Sequence, residues 1–290
     1  MAGTPQTGAP KGRAPERAAP ENATATAPQK TGLAAKIAKQ HTVKRQDGFC
    51  GHNRIVFDFN GYEAWVVEPE NAKPGLPWSW TMEWPTAFVD RTGVPDLLKK
   101  GYHHVTLRVY DTKMDETGLK VCRAFQKYLV DELGFEPKAR LIGMSWGGFY
   151  SVRYASTYPD AVGRIYLDAP LLNFKVFPHG VPKNWLPVPE CGWENDPRMP
   201  VNRAAPIAQA GIPILLLYGG EDQTVPPAHN SERFIPRFKE AGGDITVLKR
   251  GLFGHHPHGV DPDKTRVIVD FFENPRQPAN AKHPGAPAPK

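Results

Sequence analysis

The run IPILLLYGG, residues 212–220, limits what this chain can fold into more than any other feature. Nearly continuous apolar residues, bounded by Pro and Gly-Gly, suit a strand buried on both faces, because a strand with one wet face alternates apolar and polar positions. ARLIGMS (139–145) and AVGRIYLDAP (161–170) repeat the pattern, and GLKVCRAFQKYLVDELG, WGGFYSVRYASTYP, SERFIPRFKEAGG and DKTRVIVDFFEN read as helices. Strands buried on both faces and alternating with helices specify an α/β fold with a mostly parallel central sheet and helices on both faces. RIVFDFNGYEAWVVEP adds two strands about the Asn60-Gly61 turn, PWSWTMEW an aromatic third strand, and HHVTLRVY and DITVLKR two more.

Charge is unevenly placed. The first 45 residues hold eight Lys/Arg against two Glu, and residues 274–290 add three basic groups and no acid, so the formal +6 leaves the body mildly acidic, at about −3. Such a body offers no basic face for nucleic acid. The reading is residues 1–45 as a disordered Ala/Pro-rich tail, 46–273 as one domain, and 274–290 as a second disordered tail; GLAAKIAKQHTVK has an apolar stripe just sufficient for a turn or two of helix. No run reaches the length of a signal-peptide core or a membrane span, so a soluble chain with no membrane partner is expected, with compartment and oligomeric state left open. Cys50, Cys122 and Cys191 are an odd set; Cys122 fits a helix core, and Cys50 and Cys191 could pair in an oxidising compartment. Residues 170–205, Pro-rich and carrying Trp185 and Trp193, break the strand-helix rhythm and are expected to form a lid or cap loop.

Gly143, Ser145 and Gly147 form G-x-S-x-G at the point where an apolar strand gives way to a helix. A serine at a sharp strand-to-helix turn projects its hydroxyl above the sheet, and small neighbours let the backbone pass closely. The hydroxyl needs a base, itself oriented by an acid. Asp222, just past LLLYGG, is the candidate acid; Asp168 in YLDAP is the reserve and Glu221 a third choice. The loop GLFGHHPHG after the next strand supplies His255, His256 and His258 as candidate bases. Pro257 forbids the helical i, i+4 spacing that sets two imidazoles on one face, and no Cys or Glu cluster accompanies them, so no metal is expected.

GMSWGG, YGGEDQTVPP and GHHPHG, in that order, resemble the α/β-hydrolase superfamily over about residues 54–273. The resemblance implies an α/β-hydrolase fold and a Ser145–His255–Asp222 triad, His255 being chosen because many members carry Gly-His in this loop, with His258 as the runner-up. Phe49–Asn173 also looks like largely uncharacterised bacterial members, which conveys no substrate. One departure is TMEW, where the family usually has His-Gly; it puts one oxyanion donor near Glu83 or Trp84, beside the Trp146 N–H that the elbow geometry supplies. Trp78 and Trp80 are expected in the core, Trp84 and Trp146 at the pocket, and Glu83, Trp185 and His258 as pocket lining. These readings together lead to a serine esterase acting on a small-molecule carboxylic ester, carbohydrate-linked or aromatic, without cofactor. The alternatives are a peptidase resembling proline iminopeptidase, with Glu83, Glu190 or Glu194 holding the substrate amine, an acyltransferase, and a non-catalytic binding protein on the same scaffold.

Overall fold

A computed structural model of the protein describes residues 32–177 and 179–274. Its sheet has nine strands: β1 (Val43–Phe49), β2 (His52–Phe59), β3 (Tyr62–Glu68), β4 (Trp78–Thr81), β5 (His103–Leu107), β6 (Ala139–Met144), β7 (Val162–Asp168), β8 (Ile214–Gly219) and β9 (Ile245–Arg250). They lie in the order β1-β2-β3-β5-β4-β6-β7-β8-β9. The first three form an antiparallel meander, β3 meets β5 antiparallel, and every pairing from β5 to β9 is parallel. Parallel pairing from β6 onward brings the loops that follow β6, β7, β8 and β9 to one edge of the sheet, the usual place for a site in such folds.

The double burial read from sequence is present side chain by side chain. Along β8, Ile214, Leu216 and Tyr218 enter one apolar cluster, while Leu215 and Leu217 enter another on the opposite face. The larger cluster lies under α3 (Glu116–Asp131), α4 (Trp146–Thr157), α5 (Ala204–Gln209) and α6 (Ser231–Glu240); the smaller lies under α2 (Val94–Lys99) and α7 (Arg266–Glu273). Each fully buried Leu or Ile contributes about 1.5–3 kcal/mol of transfer free energy, so β8, buried at every position, is a main anchor of the sheet. Trp78 and Trp80 are in the core, as expected, with Trp80 edge-on to Phe125 and Tyr154.

Order begins earlier than the sequence suggested. Within residues 32–45, read as tail with a turn or two of helix in GLAAKIAKQHTVK, the chain forms α1 (Gly32–Ile37) and, unexpectedly, the start of β1. Ala34 and Ile37 of α1 are buried, and β1 pairs with β2 through six partner positions from Val43↔Phe57 to Phe49↔His52. The polar sequence VKRQDGF hid this strand, because an edge strand needs backbone pairing more than an apolar face. Residues 1–31 and 275–290 lie outside the described residues. Cys50 and Cys191 are exposed and unpaired, and Cys122 is buried in α3.

Two histidines, His103 and His104, sit on β5 at 5% and 1% exposure. Burial pushes their pKa values down to about 4 and about 3, and the Ser79 hydroxyl meets His104 Nδ1 at 2.9 Å. A histidine whose folded pKa is depressed adds stability above its unfolded pKa, and that stability is lost as pH falls toward the folded value. Lowering the pH from about 7 to about 4.5 should therefore cost about 2–3 kcal/mol for each of the two. Urea unfolding at both pH values checks this: His104→Asn should show a shallower acid loss than the parent chain, and equal slopes would contradict it.

Candidate active site

Ser145 stands between β6 and α4 with φ 49° and ψ −115°, a left-handed backbone unusual for a residue with a Cβ. Its N–H donates to Asp168 O (3.0 Å), and its carbonyl accepts from Gly148 (2.9 Å) and Leu171 (2.9 Å), which hold the turn from both sides. Gly143 and Gly148 are sterically required. A Cβ on Gly143 would lie 2.5 Å from Ser151 Oγ and 2.6 Å from Gly147 O, and one on Gly148 would lie 2.3 Å from Pro170 Cβ. A Cβ on Gly147 would stand in ordinary contact with the backbone of Glu83 at 3.4 Å, so the loop after β4 lies against the elbow without making this glycine obligatory.

The hydroxyl of Ser145 meets His255 Nε2 at 3.1 Å, and His255 Nδ1 meets Asp222 Oδ2 at 2.7 Å. Asp222 is 2% exposed, and its other oxygen accepts the N–H groups of Thr224 (2.9 Å) and Val225 (2.8 Å), the support a buried carboxylate requires. An Nδ1–H donated to Asp222 leaves the Nε2 lone pair facing the serine, the tautomer a general base needs. Ser145, Asp222 and His255 are thus brought together in one hydrogen-bonded chain.

The loops carrying Asp222 and His255 are joined by a backbone contact. Gly220 N–H donates to Gly251 O (3.1 Å) and Glu221 N–H to Phe253 O (3.0 Å). A Cβ at Gly219 would fall 2.1 Å from Phe253 O, and one at Gly220 2.3 Å from Gly251 O. The sequence marked Gly-Gly only as the end of a strand; its further role is to let the histidine loop lie directly on the acid loop.

The reserve acid and the runner-up base pair with each other. His258 Nδ1 meets Asp168 Oδ1 at 2.9 Å, and Asp168 Oδ2 accepts Tyr166 OH (2.7 Å) and Gly259 N–H (2.5 Å). Burial alone would raise the Asp168 pKa, but the hydrogen bonds and charge from His258, with those from Tyr166 and Gly259, outweigh it and hold the carboxyl below its usual range. Arg250 ties Pro257 O (2.9 Å) and Gly259 O (3.0 Å), and Arg91 Nε holds His258 O (2.9 Å), so the whole loop is braced. His256 is at the surface, stacked on Phe88 at 5.7 Å; desolvation first, and then the neighbouring imidazoles, push its pKa down to about 4. Pro257 does not keep the three rings apart. His255, His256 and His258 form a triangle with centroid separations of 4.8, 4.8 and 4.9 Å.

Trp146, the first residue of α4, has an N–H with no helical acceptor, so it points from a helix N-terminus as an oxyanion donor should. The Trp84 N–H is engaged by Glu83 Oε1 at 3.2 Å. Trp84 is 38% exposed and 5.5 Å from Tyr110, and the Lys113 ammonium lies over the Tyr110 ring. Glu194 is committed to Lys175 (2.6 Å) and Arg233 (2.7 Å), and Glu190 is exposed. Trp185 does not line the pocket as expected. It is 3% exposed, donates to Lys113 O (3.0 Å) and packs edge-on to Phe149 and Phe174, pinning segment 170–205 to α4; its outer side borders a surface depression of about 190 Å³ with Asp115, Arg153 and Arg198. The residues that reach over Trp146 from this segment are Phe174 and Phe177, which nothing in the local sequence pattern singles out.

The matching family model is described as alpha/beta hydrolase fold and covers residues 115–191. The chain has the alpha/beta-hydrolase fold. Among solved structures it is similar to a candidate dipeptidyl aminopeptidase IV from Bacteroides ovatus (14% identity, TM-score 0.60, 73% of this chain and 33% of that one). It is also similar to a puromycin-hydrolyzing peptidase from Mycobacterium tuberculosis (19%, 0.57, 80% and 38%) and to the Pyrococcus horikoshii acylaminoacyl peptidase (14%, 0.52, 74% and 46%). The chain spans less than half the length of each of those three proteins. No curated sequence matches it significantly, and among the described residues no helix is long and apolar enough to cross a membrane.

Glu83 is the strained charge of the site. It is 7% exposed, Oε2 has no partner, and burial raises its carboxyl to about 7 against the opposing pull of the Trp84 N–H, Arg108 and Lys113. A carboxyl whose folded pKa is raised stabilises the fold at low pH and loses that contribution as pH climbs through about 7. Glu83→Gln should therefore be more stable than the parent by about 2–3 kcal/mol near pH 8.5 and nearly equal near pH 4. Urea titrations at both pH values measure this, and an equal difference at the two would contradict the assignment.

Proposed function

We propose that the protein is a serine hydrolase that cleaves a carboxylic ester through an acyl-enzyme. The observation that carries this reading is the unbroken Ser145–His255–Asp222 hydrogen-bond chain at a strand-to-helix turn. Ser145 Oγ attacks the acyl carbon while its proton passes to His255 Nε2, and Asp222 holds the resulting imidazolium in place. The carbonyl oxygen, now negative, accepts the Trp146 N–H, assisted by the N-terminus of α4. His255 returns the proton to the leaving alcohol; a water then attacks the acyl group with His255 again as base, releasing acid and free serine. The Trp84 N–H can serve as second oxyanion donor once Glu83 Oε1 lets it go.

A second reading, hydrolysis of an aminoacyl bond, is favoured by Glu83. Of the three carboxylates considered for holding a substrate amine, it alone is buried with an unpartnered oxygen, and it lies beside the elbow where Lys113 already rests an ammonium on Tyr110. The likeness to peptidases agrees with it.

Kinetics on p-nitrophenyl esters and on aminoacyl arylamides, free and N-blocked, separate the two. The ester reading expects ester turnover that drops at least about 10³-fold in His255→Ala and changes little when the substrate amine is blocked. Preference for free aminoacyl arylamides, lost in Glu83→Gln, would overturn it in favour of the peptidase; wild-type rates for both substrate classes no higher than those of His255→Ala would overturn both.

A further inference from the structure

The histidine triangle contains more imidazole than an acyl-transfer site uses. His255 serves Ser145; His258 and His256 stand at centroid distances of 4.8 Å from it without touching the serine's hydrogen-bond chain. The nitrogens with which the three could bind a metal lie within 4.8 Å of one another. Two of the three are already prepared as metal ligands. His255 and His258 each direct Nδ1 to a buried carboxylate, Asp222 at 2.7 Å and Asp168 at 2.9 Å, which leaves Nε2 as the lone-pair nitrogen of both rings. Carboxylate–histidine pairs of this kind orient imidazoles around zinc and raise their basicity. His256 makes no hydrogen bond to either carboxylate and lies at the surface, so the cluster has an arm by which an ion can enter.

We propose that His255, His256 and His258 form a binding site for a borderline-soft divalent ion of the zinc, nickel or copper class, and that occupying it turns the hydrolase off. Imidazole nitrogens suit these ions, whereas Ca²⁺ and Mg²⁺ prefer oxygen. Zinc–nitrogen bonds of about 2.0–2.1 Å and tetrahedral geometry set nitrogens about 3.4 Å apart, so the rings close by about 1.5 Å on binding, with water in the fourth position. The ion takes the His255 Nε2 lone pair, and the Ser145 hydroxyl is left without a base. The inhibitory half of the proposal rests on the serine-hydrolase reading; the binding half does not.

The experiment uses the full chain and zinc chloride. Calorimetric titration of Ser145→Ala, which leaves all three imidazoles, should show one ion bound per chain, with affinity about tenfold or more lower in Ser145→Ala/His256→Ala. Magnesium chloride should give no binding. With wild-type protein, zinc should inhibit ester turnover and EDTA should restore it; His256→Ala should need about tenfold or more zinc for half-inhibition, read against its own zinc-free rate. Absence of zinc binding to Ser145→Ala, or equal affinities with and without His256, overturns the site. Tight His256-dependent binding with undiminished wild-type turnover overturns the switch. An inactive wild-type chain that binds zinc through His256 keeps the site and sinks the hydrolase reading instead.

Discussion

Parallel pairing of β6, β7, β8 and β9 is the constraint on which the site depends. Because these strands run side by side in one direction, each delivers its following loop to the same edge of the sheet: Ser145 after β6, Asp168 at the end of β7, Asp222 after β8 and His255 after β9. Long-range pairing thus converts residues up to 110 positions apart into hydrogen-bonding neighbours. The strands can be laid so only because both faces are apolar and both are covered, by α3 to α6 on one side and by α2 and α7 on the other. Fine placement is then a matter of backbone, since Gly219 and Gly220 admit the histidine loop at a distance no side chain would allow.

The braced loop explains why one histidine of three faces the serine. His258 is fixed by Asp168, whose remaining oxygen is shared between Tyr166 and Gly259, and Arg250 and Arg91 hold the loop carbonyls. With His258 anchored away from Ser145 and His256 turned onto Phe88, His255 is left to span Asp222 and Ser145. Against this rigid background Glu83 stands out as a buried carboxyl next to the elbow with one oxygen unpartnered. Such groups destabilise the fold at neutral pH, and their location in a site usually reflects a use.

Much of this was legible in the sequence for physical reasons. LIGMSWGG carries its geometry in the glycine at 143, which the tight strand-to-helix turn leaves no room to replace, and IPILLLYGG and GLFGHHPHG follow in the order the fold requires. Three matters were not legible. The polar strand β1 has no apolar face to announce it. Trp185 looked like a pocket aromatic, yet a surface loop rich in proline needs an anchor, and Trp185 supplies it against Phe149 and Phe174. The pairing of Asp168 with His258 joins residues 90 positions apart, and composition offers no hint of which acid meets which base.

The central claim is that Ser145 is an activated nucleophile. Reaction of the folded chain with a fluorophosphonate, followed by peptide mapping, tests it directly, because the reagent traps only a serine whose proton can be taken and whose oxyanion can be held. The account predicts a single adduct on Ser145, lost on unfolding and strongly reduced in His255→Ala. No adduct, or an adduct on another residue, contradicts it.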